Sequence, residues 1–374
     1  MQANLKEYTG LFLLGLLSSF GLFVVSPVLP LWVKQFGATY KEIGYFFTAC
    51  SSVWVFLQMY AGHLADRYGR KRFIRIGLLI YGFFAFSCSQ AHNFTQLLFF
   101  RMMQGAGLGL FGPAALGLVG GFKEKGKSFA IYRVSEGVGM ILGPLVGGFI
   151  GDIRLSYPFM VSAIASLLAI SSLFFVAEVE SKAPDWGFFR SIGTMLKLRG
   201  FLLISFATFI AEMCFVSFNI VIPVVGESLH LSTKKIGFLL SSYFITFSLF
   251  QIPIGVLSER VSKKKLIVVN TAIAAFGFLA LFLSQTFLFM SFSMALLGVT
   301  LGAVYIQASA LIAEISPEDK KSLNLAFFDS VIDVSFVVMP VIVGYVLLAG
   351  EKLPFILCTI FMAISALIFS FTRT

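Results

Sequence analysis

The sequence predicts an all-α membrane protein of twelve transmembrane helices, arranged as two pseudo-symmetric six-helix bundles. Three observations lead there. Hydrophobic residues make up 58% of the 374 positions and charged residues 12%, whereas a soluble domain carries about 25% charged residues. Apolar runs follow one another from Tyr8 to Phe371, each of roughly twenty residues and able to cross about 30 Å of hydrocarbon as a helix. The second half of the chain also repeats the first. Strands of a membrane β-barrel would instead alternate over about ten residues, and no such alternation is present.

The runs place spans at 8–33, 42–65, 73–91, 95–120, 128–151, 156–177, 200–224, 235–257, 266–284, 287–313, 322–348 and 353–371. The implied organisation is an N-terminal bundle (1–177), a cytoplasmic linker (178–199) and a C-terminal bundle (200–374). The first run is too long for a signal-peptide core and lacks a small-residue cleavage site, so it reads as a retained span. With the N-terminus inside, 20 of the 28 Lys and Arg residues fall on the cytoplasmic side and 6 outside. That asymmetry puts both termini in the cytoplasm, and the expected location is the inner membrane. It also explains the net charge of +10 through topology and lipid headgroups, not through nucleic acid.

The repeat is clearest in two charged loops. Gly62, Leu64, Asp66, Arg67 and Lys71 recur 193 positions later as Gly255, Leu257, Glu259, Arg260 and Lys264. Pro30 and Pro223, Gln58 and Gln251, Gly105 and Gly298, and Gly109 and Gly302 keep the same offset. It drifts to 196 for Pro144 and Pro340 and for Gly148 and Gly344. Halves in the same orientation, with a substrate site near the midplane, are a transporter arrangement.

Gly62-His63-Leu64-Ala65-Asp66-Arg67-Tyr68-Gly69-Arg70-Lys71-Arg72 resembles the loop between the second and third helices of the major facilitator superfamily. The likeness covers the whole chain and implies the major facilitator fold and alternating access. In that loop Gly62 would permit close helix approach, Asp66 would pair with Arg67 or Arg70 or sit near a neighbouring helix end, and Gly69 would permit a tight turn.

In the first span Ser18, Ser19 and Ser26 are polar, and Pro27 and Pro30 are expected to bend the helix. No carboxylate is present there, which counts against a proton site in this span. The fourth span carries Arg101, Gln104, Gly105, Gly107 and Gly109, similar to the R-x-x-Q-G-x-G-x-G signature of the drug:proton antiporter branch. A guanidinium within a span is paired or faces water, or snorkels to the outer interface. The fifth span carries Gly139, Gly143, Pro144, Gly147 and Gly148, resembling the antiporter motif of superfamily exporters. Gly139, Gly143 and Gly147 form one stripe, suited to contact with a helix of the other half. Arg133 and Glu136 stand where family members usually have small or apolar residues. They form either a local pair or an inner gate or charged site.

Glu212 falls near the centre of the seventh span, with Ser205, Thr208 and Asn219 within about 60° of it by helical periodicity. This stripe reads as a cavity wall, with Glu212 as the first choice for proton or cation coupling. Tyr305 and Gln307 of the tenth span could also line the cavity. Asp329 and Asp333, four apart in the eleventh, repel when both are ionised and need a cation, a proton or water.

His63, His92 and His230 are isolated, and Cys50, Cys88, Cys214 and Cys358 have no metal-ligand spacing. No P-loop and no hydrolase triad is found. The expectation is a secondary transporter without metal, cofactor or enzymatic activity. It would be a monomer that exchanges a small molecule against protons, or sodium, in contact with membrane lipid. The favoured cargo is amphipathic or lipophilic; a polar metabolite or a lipid is the alternative.

Overall fold

The structure is a computed structural model that describes residues 5–178, 200–317 and 321–371. The expected linker, 178–199, therefore lies outside the described residues apart from Glu178. Every regular element among the described residues is a helix: α1 (Leu5–Phe23), α2 (Leu29–Gln35), α3 (Tyr40–Tyr68), α4 (Arg70–Ser89), α5 (Phe94–Gly120), α6 (Lys125–Gly151), α7 (Tyr157–Ser172), α8 (Phe201–Ser228), α9 (Thr233–Arg260), α10 (Lys263–Leu283), α11 (Phe287–Ile315), α12 (Lys321–Asp333), α13 (Ser335–Ala349) and α14 (Leu353–Phe371). Ten described helices are long and apolar enough to cross a membrane, with Asn324–Ala349 taken as one.

The first apolar run is not one helix. It breaks over 24–28, around Pro27, and Pro30 then sits in the first turn of α2. Proline lacks the N–H that a continuing helix would use, and a first turn is where that loss leaves no helical bond unmade. The run 322–348 likewise divides at Val334, whose carbonyl takes two N–H groups, from Val337 and Val338. The break lies one to two turns before Pro340, which cannot donate to the ladder.

The described chain forms two compact units. One contains α1–α7 together with Gly226–Ser241, the end of α8 and the start of α9. The other contains α8 as far as Val225 and the chain from Ser242 onward. The core of the first unit is built from Leu11, Leu14, Leu78, Phe111, Leu118 and Tyr132.

The internal repeat returns as matching contacts inside each half. Gly105 and Gly109 of α5 lie on α3 at Cys50 and Trp54; Gly298 and Gly302 of α11 lie on α9 at Tyr243 and Phe247. Both the glycines and their partners are 193 residues apart. A Cβ on Gly109 would stand 2.9 Å from the Trp54 carbonyl oxygen, and one on Gly302 2.9 Å from the Phe247 ring. Small residues let these backbones approach where lipid supplies no hydrophobic drive between helices.

Helix ends are closed by the expected chemistry. Thr39 and Glu42 form a reciprocal capping box at the start of α3. Between α3 and α4 a single residue, Gly69, turns the chain at φ +103 and ψ 121. An L side chain is strained there. Gly69→Ala is expected to lower stability by about 1–3 kcal/mol, read as a lower melting temperature of the purified protein in detergent.

Candidate functional site

The second unit gathers the acids. Glu212 of α8 stands among apolar neighbours, and the charged groups facing it are Asp333 first and Asp329 second, both on α12. All three residues are half-buried. The four-residue spacing of Asp329 and Asp333 puts both on one face of α12, and both act electrostatically on Glu212. Tyr305 of α11 donates its hydroxyl to Asp329 Oδ1 at 3.2 Å. Aromatic rings close the surroundings. Tyr243 lies beside Glu212, Phe215 is one turn further along α8, and Phe215 meets Tyr243 at 5.7 Å and Phe336 at 6.1 Å. Among the described residues no three His, Cys, Asp or Glu side chains are placed to hold a metal ion. The carboxylates share a region without closing into a cage.

Two members of the expected polar stripe on α8 do not share that exposure. Ser205 and Thr208 are buried; Thr208 donates to the Ile204 carbonyl at 2.8 Å, and the Ser205 hydroxyl has no partner. Helical periodicity placed them on Glu212's side. The depth at which neighbouring helices close over that side decides which of them stays open. Asn219 is half-buried and turned to the Phe215 carbonyl at 2.8 Å. Gln307 is fully buried, with neither amide atom hydrogen-bonded.

Two arginines of the first unit, Arg101 and Arg133, lie in helices away from the charged loop. Arg101 does not snorkel away: it donates to Gln104 Oε1 at 2.6 Å. Tyr81, Cys50 and Cys88 lie around its guanidinium, and the Cys88 thiol reaches the same Gln104 oxygen at 3.9 Å. Arg133 and Glu136 form the local pair, Nη1 to Oε2 at 2.9 Å. Its two members differ in exposure, 57% for the arginine side chain and 18% for the carboxylate. Tyr132, buried, lies beside Glu136 and Ser18. Tyr81 and Tyr132 carry no motif, and nothing in their spacing singles them out among 45 Phe and 11 Tyr residues.

In the charged loop, Asp66 pairs with Arg70, not Arg67, at 2.6 Å. Arg70 also donates to the Gly117 carbonyl at 2.6 Å, tying α4 to the end of α5. Arg67 instead lies over the Tyr68 ring at 5.4 Å. The Lys71 ammonium donates to the Val176 carbonyl, and its backbone N–H donates to Glu178. In the echo of this loop, Lys263 pairs with Glu314 near the end of α11. Gly62 does not mark a forced contact: a Cβ there would meet Pro113 at an ordinary 3.5 Å.

The glycine stripe of α6 corrects the sequence reading. Gly139, Gly143 and Gly147 meet α1 and the turn after it, at Leu16, Ser19, Phe23 and Val24, and not a helix of the other half. A Cβ on Gly143 would fall 2.9 Å from Phe23 Cβ. The neighbouring face does meet second-half residues: Gly148 and Pro144 lie against Gly237 at the start of α9. A Cβ on Gly148 would stand 2.5 Å from the Thr233 carbonyl oxygen. The contact is sewn by polar groups. Thr233 donates to the Gly148 carbonyl at 2.9 Å or to Asp152 Oδ1 at 2.6 Å, and Ser241 donates to the Ile141 carbonyl at 2.8 Å. A rotation of about 100° per residue separates the two faces, and the sequence shows glycines on both.

The sequence profile of the Major Facilitator Superfamily matches residues 11–206 and 204–374. Over 239 residues the chain is 26% identical to the quinolone resistance protein NorA of Staphylococcus aureus (strain MSSA476), covering 62% of each. Over 202 residues it is 29% identical to the multidrug efflux protein YfmO of Bacillus subtilis (strain 168), covering 53% of this chain and 51% of that one. These alignments span less than two thirds of either relative. Among solved structures, the D-xylose-proton symporter matches with a TM-score of 0.81 at 16% identity, covering 99% of this chain and 98% of that one. A structure of the nucleoside transporter NupG matches with a TM-score of 0.83 at 13% identity, covering 99% of this chain and 100% of that one. At such identities the likeness is one of fold.

Proposed function

Since the chain belongs to the major facilitator superfamily, and is therefore a multi-pass membrane transporter of small molecules and not an enzyme, we propose that it is a proton-coupled exporter of amphipathic or lipophilic compounds. Twelve spans in two six-helix bundles carry it, 1–177 and 200–374, joined by a linker at 178–199. In this arrangement α1 with α2 makes the first span and α7 with the residues after it the sixth. Both termini are cytoplasmic, in the inner membrane, and the monomer is the working unit.

The observation that carries the reading is the placement of Glu212, Asp333 and Asp329 in one unit, near enough for their charges to act on one another. Like charges repel at this range, and a proton, a sodium ion or a cationic cargo group relieves that repulsion. An ion that binds one conformation better than the other shifts the balance between them, which is what coupling requires. Phe215, one turn from Glu212, packs with Tyr243 and Phe336, and this ring cluster beside the acids suits a lipophilic body. NorA and YfmO, named for quinolone resistance and multidrug efflux, support the same choice.

Uptake of a lipophilic dye into proteoliposomes tests it. Accumulation is expected to follow an imposed pH gradient and to vanish when a protonophore collapses it. Dye flux that ignores the gradient, or equal uptake driven by sodium alone, would overturn proton coupling.

A further inference from the structure

We infer that Arg101 and Gln104 form an acceptor subsite that takes the carboxylate of a transported compound; the inference rests on the exporter reading above and names a cargo feature it leaves open. The argument begins with a difference among arginines. Arg70 has Asp66 and Arg133 has Glu136. Arg101 forms no ion pair among the described residues, and its hydrogen-bonded partner is the neutral Gln104. The side chains around its head, Tyr81, Cys50 and Cys88, are neutral in their ordinary states. A guanidinium has five N–H donors; Gln104 takes one, the neutral Tyr81 hydroxyl lies within reach of another, and neither partner carries charge. Inside a membrane span such a cation is costly unless it meets an anion or water.

Gln104 presents the same demand from its other end. Its Oε1 is taken by Arg101, while its Nε2 is buried without a hydrogen-bond partner, in a side chain only 1% exposed. A buried donor left without an acceptor is destabilising. The two missing partners are one chemical object: an oxygen acceptor carrying negative charge. A carboxylate supplies two oxygens, one for the guanidinium and one for the amide N–H, and a charge-assisted bond of this kind is the stronger sort. An ammonium group is repelled at the same place, so the subsite fixes which end of an amphipathic cargo approaches α5. Local folding supports this placement. Gly105 presses α5 onto Cys50 of α3, Gly107 presses it onto Gly77 and Tyr81 of α4, and Arg101 and Gln104 are held where those three helices meet.

A matched pair of probes tests the assignment: 2-naphthoate and its methyl ester, which share an aromatic body and differ in charge. Binding is measured by calorimetry on the purified full chain in detergent, with no gradient present. Arg101→Gln is expected to weaken naphthoate binding about tenfold or more, or about 1.4 kcal/mol, and to leave the ester unchanged. Arg101→Lys should retain part of the naphthoate affinity. Gln104→Glu is the variant that keeps the fold, because the new carboxylate pairs with Arg101; it should abolish naphthoate binding by occupying the guanidinium and spare the ester. Equal loss of both probes, or naphthoate binding untouched by Arg101→Gln and Gln104→Glu, would overturn the subsite. Because binding is read without flux, a wild-type protein that binds naphthoate but drives no dye uphill would sink the exporter reading alone.

Discussion

Glu212→Gln is expected to end uphill transport while leaving downhill exchange running. Glutamine keeps the size of the side chain and can still hydrogen-bond, so the packing of α8, through Phe215, against Tyr243 and Phe336 has little reason to change. It cannot lose or gain a proton. One pH unit corresponds to about 1.4 kcal/mol per proton, so a one-proton exchanger can hold cargo at about a tenfold ratio across the membrane. In the variant that ratio should fall to one, while the initial rate of downhill counterflow stays within a few-fold of wild type. Measuring both on the same proteoliposomes separates coupling from damage. Persistent accumulation in Glu212→Gln would remove this residue from the proton path and leave Asp329 and Asp333 as its candidates. Loss of both kinds of flux would show a residue that holds the unit together.

The second large effect belongs to the α1–α6 contact. Gly147→Leu is expected to yield little folded protein. A Cβ at this position already falls well inside contact distance of the Val24 backbone, and backbone has no rotamer with which to yield. Overpacking ordinarily costs about 1–3 kcal/mol where side chains can adjust; here they cannot. Gly62→Ala is the control. Its added methyl meets only Pro113 at 3.5 Å, and it should express and melt like wild type. Monodisperse yield and thermal unfolding in detergent read both. A well-folded Gly147→Leu protein would show that α1 and α6 do not approach as closely as described. Gly143→Leu belongs with Gly147→Leu, since Gly143 also faces Phe23. The stripe therefore reports on the integrity of the first unit.

Several features were open to reading from residues alone. A membrane chain this apolar has to place its few charges deliberately, so the loop at Gly62–Arg72 and its echo at Gly255–Lys265 stood out. The duplicated glycines foretold duplicated packing, and α5 on α3 and α11 on α9 repeat it residue for residue. Glu212 was conspicuous because a carboxylate in the middle of an apolar helix is rare. Its meeting with Asp329 and Asp333 was not legible: they are more than a hundred residues apart, and only the packing of α8 with α12 puts them in one region. Ser205 and Thr208 show the converse. Their spacing is right, but a helix seen in isolation has no information about how far its neighbours cover it. The breaks at Pro27 and Val334 sit between these cases. The first was announced by proline, while the second follows from chain geometry before Pro340 that no single residue advertises.

Composition and repeat by themselves determined that this protein is a helical membrane protein whose sequence echoes itself, because hydrocarbon forbids an unpaired backbone and leaves long apolar helices as the solution. Tertiary structure alone decided which partner each charge and each glycine takes. Asp66 chose Arg70, Arg133 chose Glu136, Arg101 was left with an amide, and the α6 glycines turned to α1. Those choices depend on rotations of about 100° per residue and on close approach between helices remote in sequence, to which the periodicity of any one helix is blind.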